Sequence, residues 1–175
     1  MAFQLFKTQI EFIHGAYTEP PADGLIIPAN DHLWMGTGPA RLIKEAGGEE
    51  IEREAVKEGP VGMGDVVVTA AGKLPFKHIL HAALMSQDLH ISAETLGLAL
   101  QNAIQRAAKL KLKHINFAVP LETGDRPLRP DILAEMIRVL FRVLEEIEGI
   151  KTLRLVVANE SSKKIMHDAF LHALY

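Results

Sequence analysis

The 175-residue chain is 48% hydrophobic and 23% charged, a balance that supports a folded core and argues against disorder. Its net charge of -3 gives no electrostatic footprint for nonspecific nucleic-acid binding. The absence of cysteine excludes disulfides, a thiol nucleophile and thiolate metal sites.

The opening MAFQLFKTQIEF alternates polar and apolar residues and lacks a signal peptide's charged start and apolar block. No apolar run is long enough to span a bilayer, so a single cytoplasmic domain over residues 1–175, with no membrane partner, is expected. Phe3, Leu5, Ile10 and Phe12 give residues 2–13 the pattern of one or two half-exposed strands. Thr18 to Gly24, with Pro20 and Pro21, reads as a loop, and Leu25 to Ala29 as a buried strand. That strand ends in Asn30 and opens into Met35-Gly36-Thr37-Gly38-Pro39. A helix pattern then runs from Pro39 to Ala46, breaks at Gly47-Gly48, resumes through Ile51, Ala55 and Val56, and stops at Gly59-Pro60. The charged run Glu49 to Glu58 reads as a solvated helix face.

Asp65 to Ala70 and His78 to Leu84 are strand-like. Ser92 is placed as an N-cap with Glu94 in the first turn, followed by Leu96, Leu100, Ala103, Ile104 and Ala107 at helical spacing. His114 to Val119 is a strand, Leu121 to Pro130 a loop, and Asp131 to Ile147 a helix with Gly149 placed to end it. Leu153 to Ala158 is a buried strand, and Ser161 to Leu174 a closing helix.

Strands alternating with helices imply an α/β sheet covered on both faces, with ligands in the crevice outside the carboxyl ends of the strands. The segments Asn30 to Pro39, Leu121 to Pro130 and Asn159-Glu160 leave those ends and are expected to converge on one cleft. A strand-end amide followed by a glycine loop at a helix N-terminus has the outline of a phosphate-bearing nucleotide site, because free N–H groups and the positive dipole end favour an anion. The plainer alternative is an Asn that caps a turn beside strain-relieving glycines. Histidine spacing does not make a metal site: His78 and His81 face opposite sides of a strand, and His167 and His172 do not share a helix face. Neither a metal nor a cofactor is expected. For Trp34, packing as a lid or in a homodimer contact is preferred to covering a bound base or ribose.

The order of segments resembles the macro domain, a module that binds ADP-ribose and related nucleotides. The matching parts are Gly15-Ala16-Tyr17-Thr18, the strand Gly24 to Asn30, and Gly36 to Gly38 leading into a helix that ends Glu45-Ala46-Gly47. Gly64-Asp65-Val66-Val67-Val68-Thr69 to Leu74-Pro75, Ile79-Leu80-His81, and Ala118-Val119-Pro120 continuing to Thr123-Gly124 complete them. The resemblance implies a three-layer α/β/α sandwich with a mixed, mostly parallel central sheet. It also implies ADP-ribose or an ADP-ribosylated molecule as partner. On matching positions, the adenosine lies near Ala16, Tyr17 and Asn159, and the distal ribose beside Ala29 and Asn30. The diphosphate is cradled by Gly36, Thr37, Gly38 and Pro39 on one side, with Thr123, Gly124 and Asp125 opposite.

Three positions depart from the family pattern. Ala16 stands where an acid commonly reads the adenine, Glu122 where a small Ser is frequent, and Pro39 where hydrolase-type members carry an Asp. Two function classes follow: a binding module, or a hydrolase with Asn30 orienting the distal ribose and Glu122 or Asp125 as general base. Lys44 is a further candidate for the second class, although a surface role is simpler. Binding is expected over hydrolysis. A structural or RNA-associated role with a vestigial cleft is the third class, and net acidity speaks against RNA.

Overall fold

The computed structural model describes residues 2–120, 122–123, 126–127 and 129–175. In chain order it forms β1 (Ala2–Leu5), β2 (Thr8–His14), β3 (Gly24–Asn30), α1 (Gly38–Gly47), α2 (Glu50–Lys57), β4 (Val66–Thr69) and β5 (His78–Met85). It continues through α3 (Ala93–Lys109), β6 (His114–Ala118), β7 (Glu122–Thr123), β8 (Arg126–Pro127), α4 (Pro130–Glu146), β9 (Thr152–Val157) and α5 (Glu160–Leu174). Seven strands make one sheet in the order β1-β2-β9-β6-β3-β5-β4. The β2–β9, β9–β6, β6–β3 and β3–β5 pairs are parallel, and the two edge pairs are antiparallel. The sheet is therefore mixed and mostly parallel, as expected.

The pleat of β3 shows how the sequence makes three layers. Ile26 joins Ile10, Leu80, Ile115 and Leu153 in the large core against α3, α4 and α5. Its neighbours Leu25 and Ile27 face the other way and pack with Ala40, Ile43 and Ile51 of α1 and α2. A strand buried on both faces reads as a continuous apolar run, which is what Leu25-Ile26-Ile27 is.

Helix boundaries follow local chemistry. Ser92 caps α3, its side chain accepting from the Thr95 N–H at 3.1 Å. Gly149 lies two residues past the α4 cap at Ile147, and its φ of 99° belongs to the turn into β9. Between Leu121 and Pro130, where the sequence predicts a loop, the chain forms the short antiparallel pair β7–β8, with Thr123 opposite Arg126. Two residues per strand are too few to show a period of two.

His81 of β5 is fully buried, with Nε2 2.9 Å from Thr69 Oγ1. The Thr69 hydroxyl donates to the Ala70 carbonyl at 3.0 Å, so the ring keeps its proton on Nε2 and donates it to Thr69. Nδ1 is buried without a hydrogen-bond partner. Burial pushes the imidazole down from 6.5 to about 4. The folded state thus resists a proton that the unfolded chain accepts at 6.5. Stability is complete above that pH and falls as the pH drops towards 4, by up to about 3 kcal/mol. Urea unfolding between pH 7 and pH 4 should show this slope, and His81→Gln should flatten it while lowering stability at neutral pH.

Candidate functional site

Because four successive pairs run parallel, β2, β9, β6, β3 and β5 release the chain at one edge of the sheet. A cavity of about 540 Å³ lies on that edge. Each of the five strands supplies part of its wall: Tyr17 after β2, Ala158 after β9, Val119 and Pro120 after β6, Pro28 within β3, and Met85 ending β5. Thr37, Gly38 and Pro39 bring the N-terminus of α1 to the cavity, and Ser162 brings that of α5.

The two helix ends differ. At α5 the Asn159 Oδ1 accepts the Ser162 N–H at 2.8 Å, so the end is capped from within. At α1 the N-cap Thr37 makes no side-chain capping bond, and the first turn holds no acid. The positive end of α1 therefore faces the cavity unneutralised, which favours an anion there. Arg41 also lines the cavity, but its Nε donates to Glu45 Oε1 at 2.8 Å along the exposed helix face.

The loop before α1 is held from three directions. Asn30 Oδ1 accepts from the N–H groups of His32 at 3.0 Å and Trp34 at 3.3 Å, while Nδ2 donates to the Trp34 carbonyl at 3.0 Å. This is the turn-capping role weighed above as the plainer alternative. Leu33, at φ 65°, is buried with Ala29, Ala55 and Val67, and Met35 is buried beneath α1. Trp34, between these two anchors, points outward and is 53% exposed. Gly36, Thr37 and Gly38 follow, all exposed.

Among the residues singled out from sequence, Tyr17, Thr37, Gly38 and Pro39 are in the cavity wall. Ala16 is exposed beside Tyr17, and Gly36 is exposed one residue before Thr37. Asn30 and Asn159 do not line the cavity; each spends its side-chain oxygen on local backbone. Ala29 is buried towards α2. Glu122 and Thr123 form β7, and Gly124 and Asp125 lie outside the described residues. Lys44 is turned to α2, its Nζ 3.3 Å from both carboxylate oxygens of Glu52. The wall also contains Pro28, Met85, Leu89, Val119, Pro120, Ala158 and Ser162, which the sequence reading had not placed there. A strict rule of strand-end residues finds Met85, Val119 and Ala158; Leu89, in the β5–α3 connection, carried no such signal.

These features define a three-layer α/β/α protein with one anion-favouring cleft at the carboxyl edge of its parallel strands. The model of the Macro domain family matches residues 26–137, and the chain belongs to that family. It is 44% identical over 101 residues to an uncharacterized protein of Aquifex aeolicus, a match that spans 57% of this chain and 61% of the relative. An uncharacterized protein of Sulfurisphaera tokodaii is 34% identical over 92% of this chain and 90% of its own. Among solved structures, an Oceanobacillus iheyensis macrodomain mutant superposes with a TM-score of 0.86, covering 99% of this chain and 97% of that one at 20% identity. A Trypanosoma brucei macrodomain in complex with ADP-ribose gives 0.78 at 18% identity, over 95% of this chain and 69% of that one.

No helix among the described residues is long and apolar enough to cross a membrane. Among the same residues, no group of three metal-binding side chains gathers. The cap at α5 offers a direct check on the cavity's second wall. Asn159→Ala should cost about 1 kcal/mol in urea unfolding, and Asn159→Asp should restore most of it.

Proposed function

We propose that this chain binds ADP-ribose, or a related adenine nucleotide or ADP-ribosyl group, in the cavity at the strand ends. The observation that carries the reading is the uncapped N-terminus of α1, opening with Thr37 and Gly38 into a cavity of about 540 Å³. That volume is in the range of small-molecule sites, and the dipole end suits a diphosphate. Membership of the Macro domain family adds support, since the Trypanosoma brucei macrodomain has been solved with ADP-ribose and with ADP.

In this reading the backbone amides of Gly36, Thr37 and Gly38 cradle the diphosphate, with Thr123 and Gly124 opposite. The distal ribose extends past the cavity wall to Asn30, whose oxygen is spent on its own loop but whose Nδ2 has a second proton beyond the one given to Trp34. Ala16, Tyr17 and Asn159 are near the adenosine. Without an acid at Ala16, adenine selectivity is weaker by about 1.5–3 kcal/mol than with a charge-assisted contact to the base.

Binding without turnover is preferred over hydrolysis, because Pro39 has no side-chain acid to position water and Lys44 is paired with Glu52. Calorimetry should give ADP-ribose an affinity about 10-fold or more above that of AMP, with ADP between them, and Asn30→Ala should erase that margin. Equal affinities for ADP-ribose and AMP in the unaltered protein dismiss the distal-ribose assignment. Incubation with an ADP-ribosylated carrier should leave the modification in place; release that falls in Glu122→Gln or Asp125→Asn would instead establish hydrolysis with those acids as bases.

A further inference from the structure

Glu52 of α2 touches nothing in the cavity, yet it is tied to the loop that borders it. Its Oε2 accepts the Met35 N–H at 2.5 Å, and both its oxygens lie 3.3 Å from Lys44 Nζ of α1. The two side chains are only 20% and 23% exposed. A carboxylate so sheltered needs charge-assisted partners to offset its lost hydration, and here one partner is a helix cation and the other a loop amide. One acid thereby joins α2, α1 and the entry of the glycine loop.

A single residue, Gly36, separates Met35 from the N-cap Thr37. Asn30 fixes both backbone polar groups of Trp34 from the β3 side, and Glu52 fixes the next backbone N–H from the α2 side. Thr37 adds no side-chain cap of its own, so the direction in which Gly36 to Gly38 present their N–H groups is inherited from that clamp. We propose that Glu52, held by Lys44, is the positioning residue for this loop. The inference rests on the reading of the cavity as an ADP-ribose site only for its effect on affinity, not for its effect on loop geometry.

Glu54 on the same helix is a matched control, because its carboxylate accepts the Ala70 N–H at 3.3 Å and does not reach the glycine loop. Amide hydrogen exchange, amide resonances and ADP-ribose calorimetry on the full chain test the role. In Glu52→Met, exchange at Met35 should accelerate about 10-fold, the Gly36 to Gly38 resonances should move, and ADP-ribose affinity should fall about 10-fold. Glu52→Gln keeps an acceptor for Met35 and should recover most of the affinity, while Lys44→Met should lose about 3-fold. Glu54→Met should stay within about 2-fold of the unaltered protein.

Unchanged Met35 exchange and loop resonances in Glu52→Met overturn the proposal, as does an equal loss of affinity in Glu54→Met. If Glu52→Met does not fold, Glu52→Gln and Lys44→Met decide through the same Met35 and loop signals. If the unaltered protein binds no ADP-ribose, the cavity reading falls, and the exchange and resonance data still decide the role of Glu52.

Discussion

The interaction on which the cavity depends lies at the far end of the sheet from it. Asp23, immediately before β3, accepts the N–H groups of Lys113 and His114 on its Oδ2 at 2.9 and 3.0 Å. Its own N–H donates to the His114 carbonyl, and its carbonyl accepts from Lys77. Burial raises the carboxyl, but the two backbone donors with Lys77 and His114 outweigh it and hold the group below its usual range. One residue thus fixes where β6, β3 and β5 begin relative to one another, its ionised side chain holding β6 and its backbone carbonyl holding the start of β5. Strands are stiff rulers, so a register set at their beginnings also sets where they end. The register departs from this only between Ala29 and Asn30, where β5 has an extra residue and Asn30 pairs with Met85. That irregularity places Met85 in the cavity wall and turns Asn30 into its own loop.

The stretch from Asn30 to Gly38 then converts rigid strand ends into an open ligand surface. Leu33 occupies the left-handed region at a cost of about 1 kcal/mol, offset by burying its side chain against Ala55 and Val67. Met35 enters the core beneath α1 two residues later. With these two side chains buried, the three residues after them have no packing duty, and two of the three are glycines. Their backbone can approach a ligand closely because their side chains do not intervene.

Periodicity made most of the elements legible. The apolar run Leu25-Ile26-Ile27, the helical spacing from Leu96 to Ala107 and the cap at Ser92 each carry their cause within a few residues. So does the gathering of strand ends at one edge, because parallel pairing follows from alternating strands and helices. Of the three loops expected there, Asn30 to Pro39 reaches the cavity through Thr37, Gly38 and Pro39, and Leu121 to Pro130 lies largely outside the described residues. What was hidden is long-range or depends on choosing between partners. Asn30 and Asn159 are amides at strand ends in either reading, and only the coordinates show their oxygens turned to local N–H groups. Glu52 sits in a charged run that reads as a solvated face, yet its partner Met35 lies 17 residues earlier in the chain and cannot be found by helical spacing. The pair β7–β8 is too short to have a pattern at all.

A chain with a net charge of -3 does not attract a diphosphate from a distance. Arg41, at the cavity wall, has its Nε committed to Glu45. In the proposed reading, selectivity for an anion resides in short-range geometry: the N–H groups at the start of α1 and the loop that aims them. Short-range donors discriminate by direction, and direction here is set by buried side chains and by one sheltered ion pair rather than by surface charge. The walls beside the start of α1 are largely apolar, formed by Tyr17, Pro28, Met85, Val119 and Pro120. A ligand seated against these walls would shield its own hydrogen bonds to the exposed loop from solvent, which strengthens each of them.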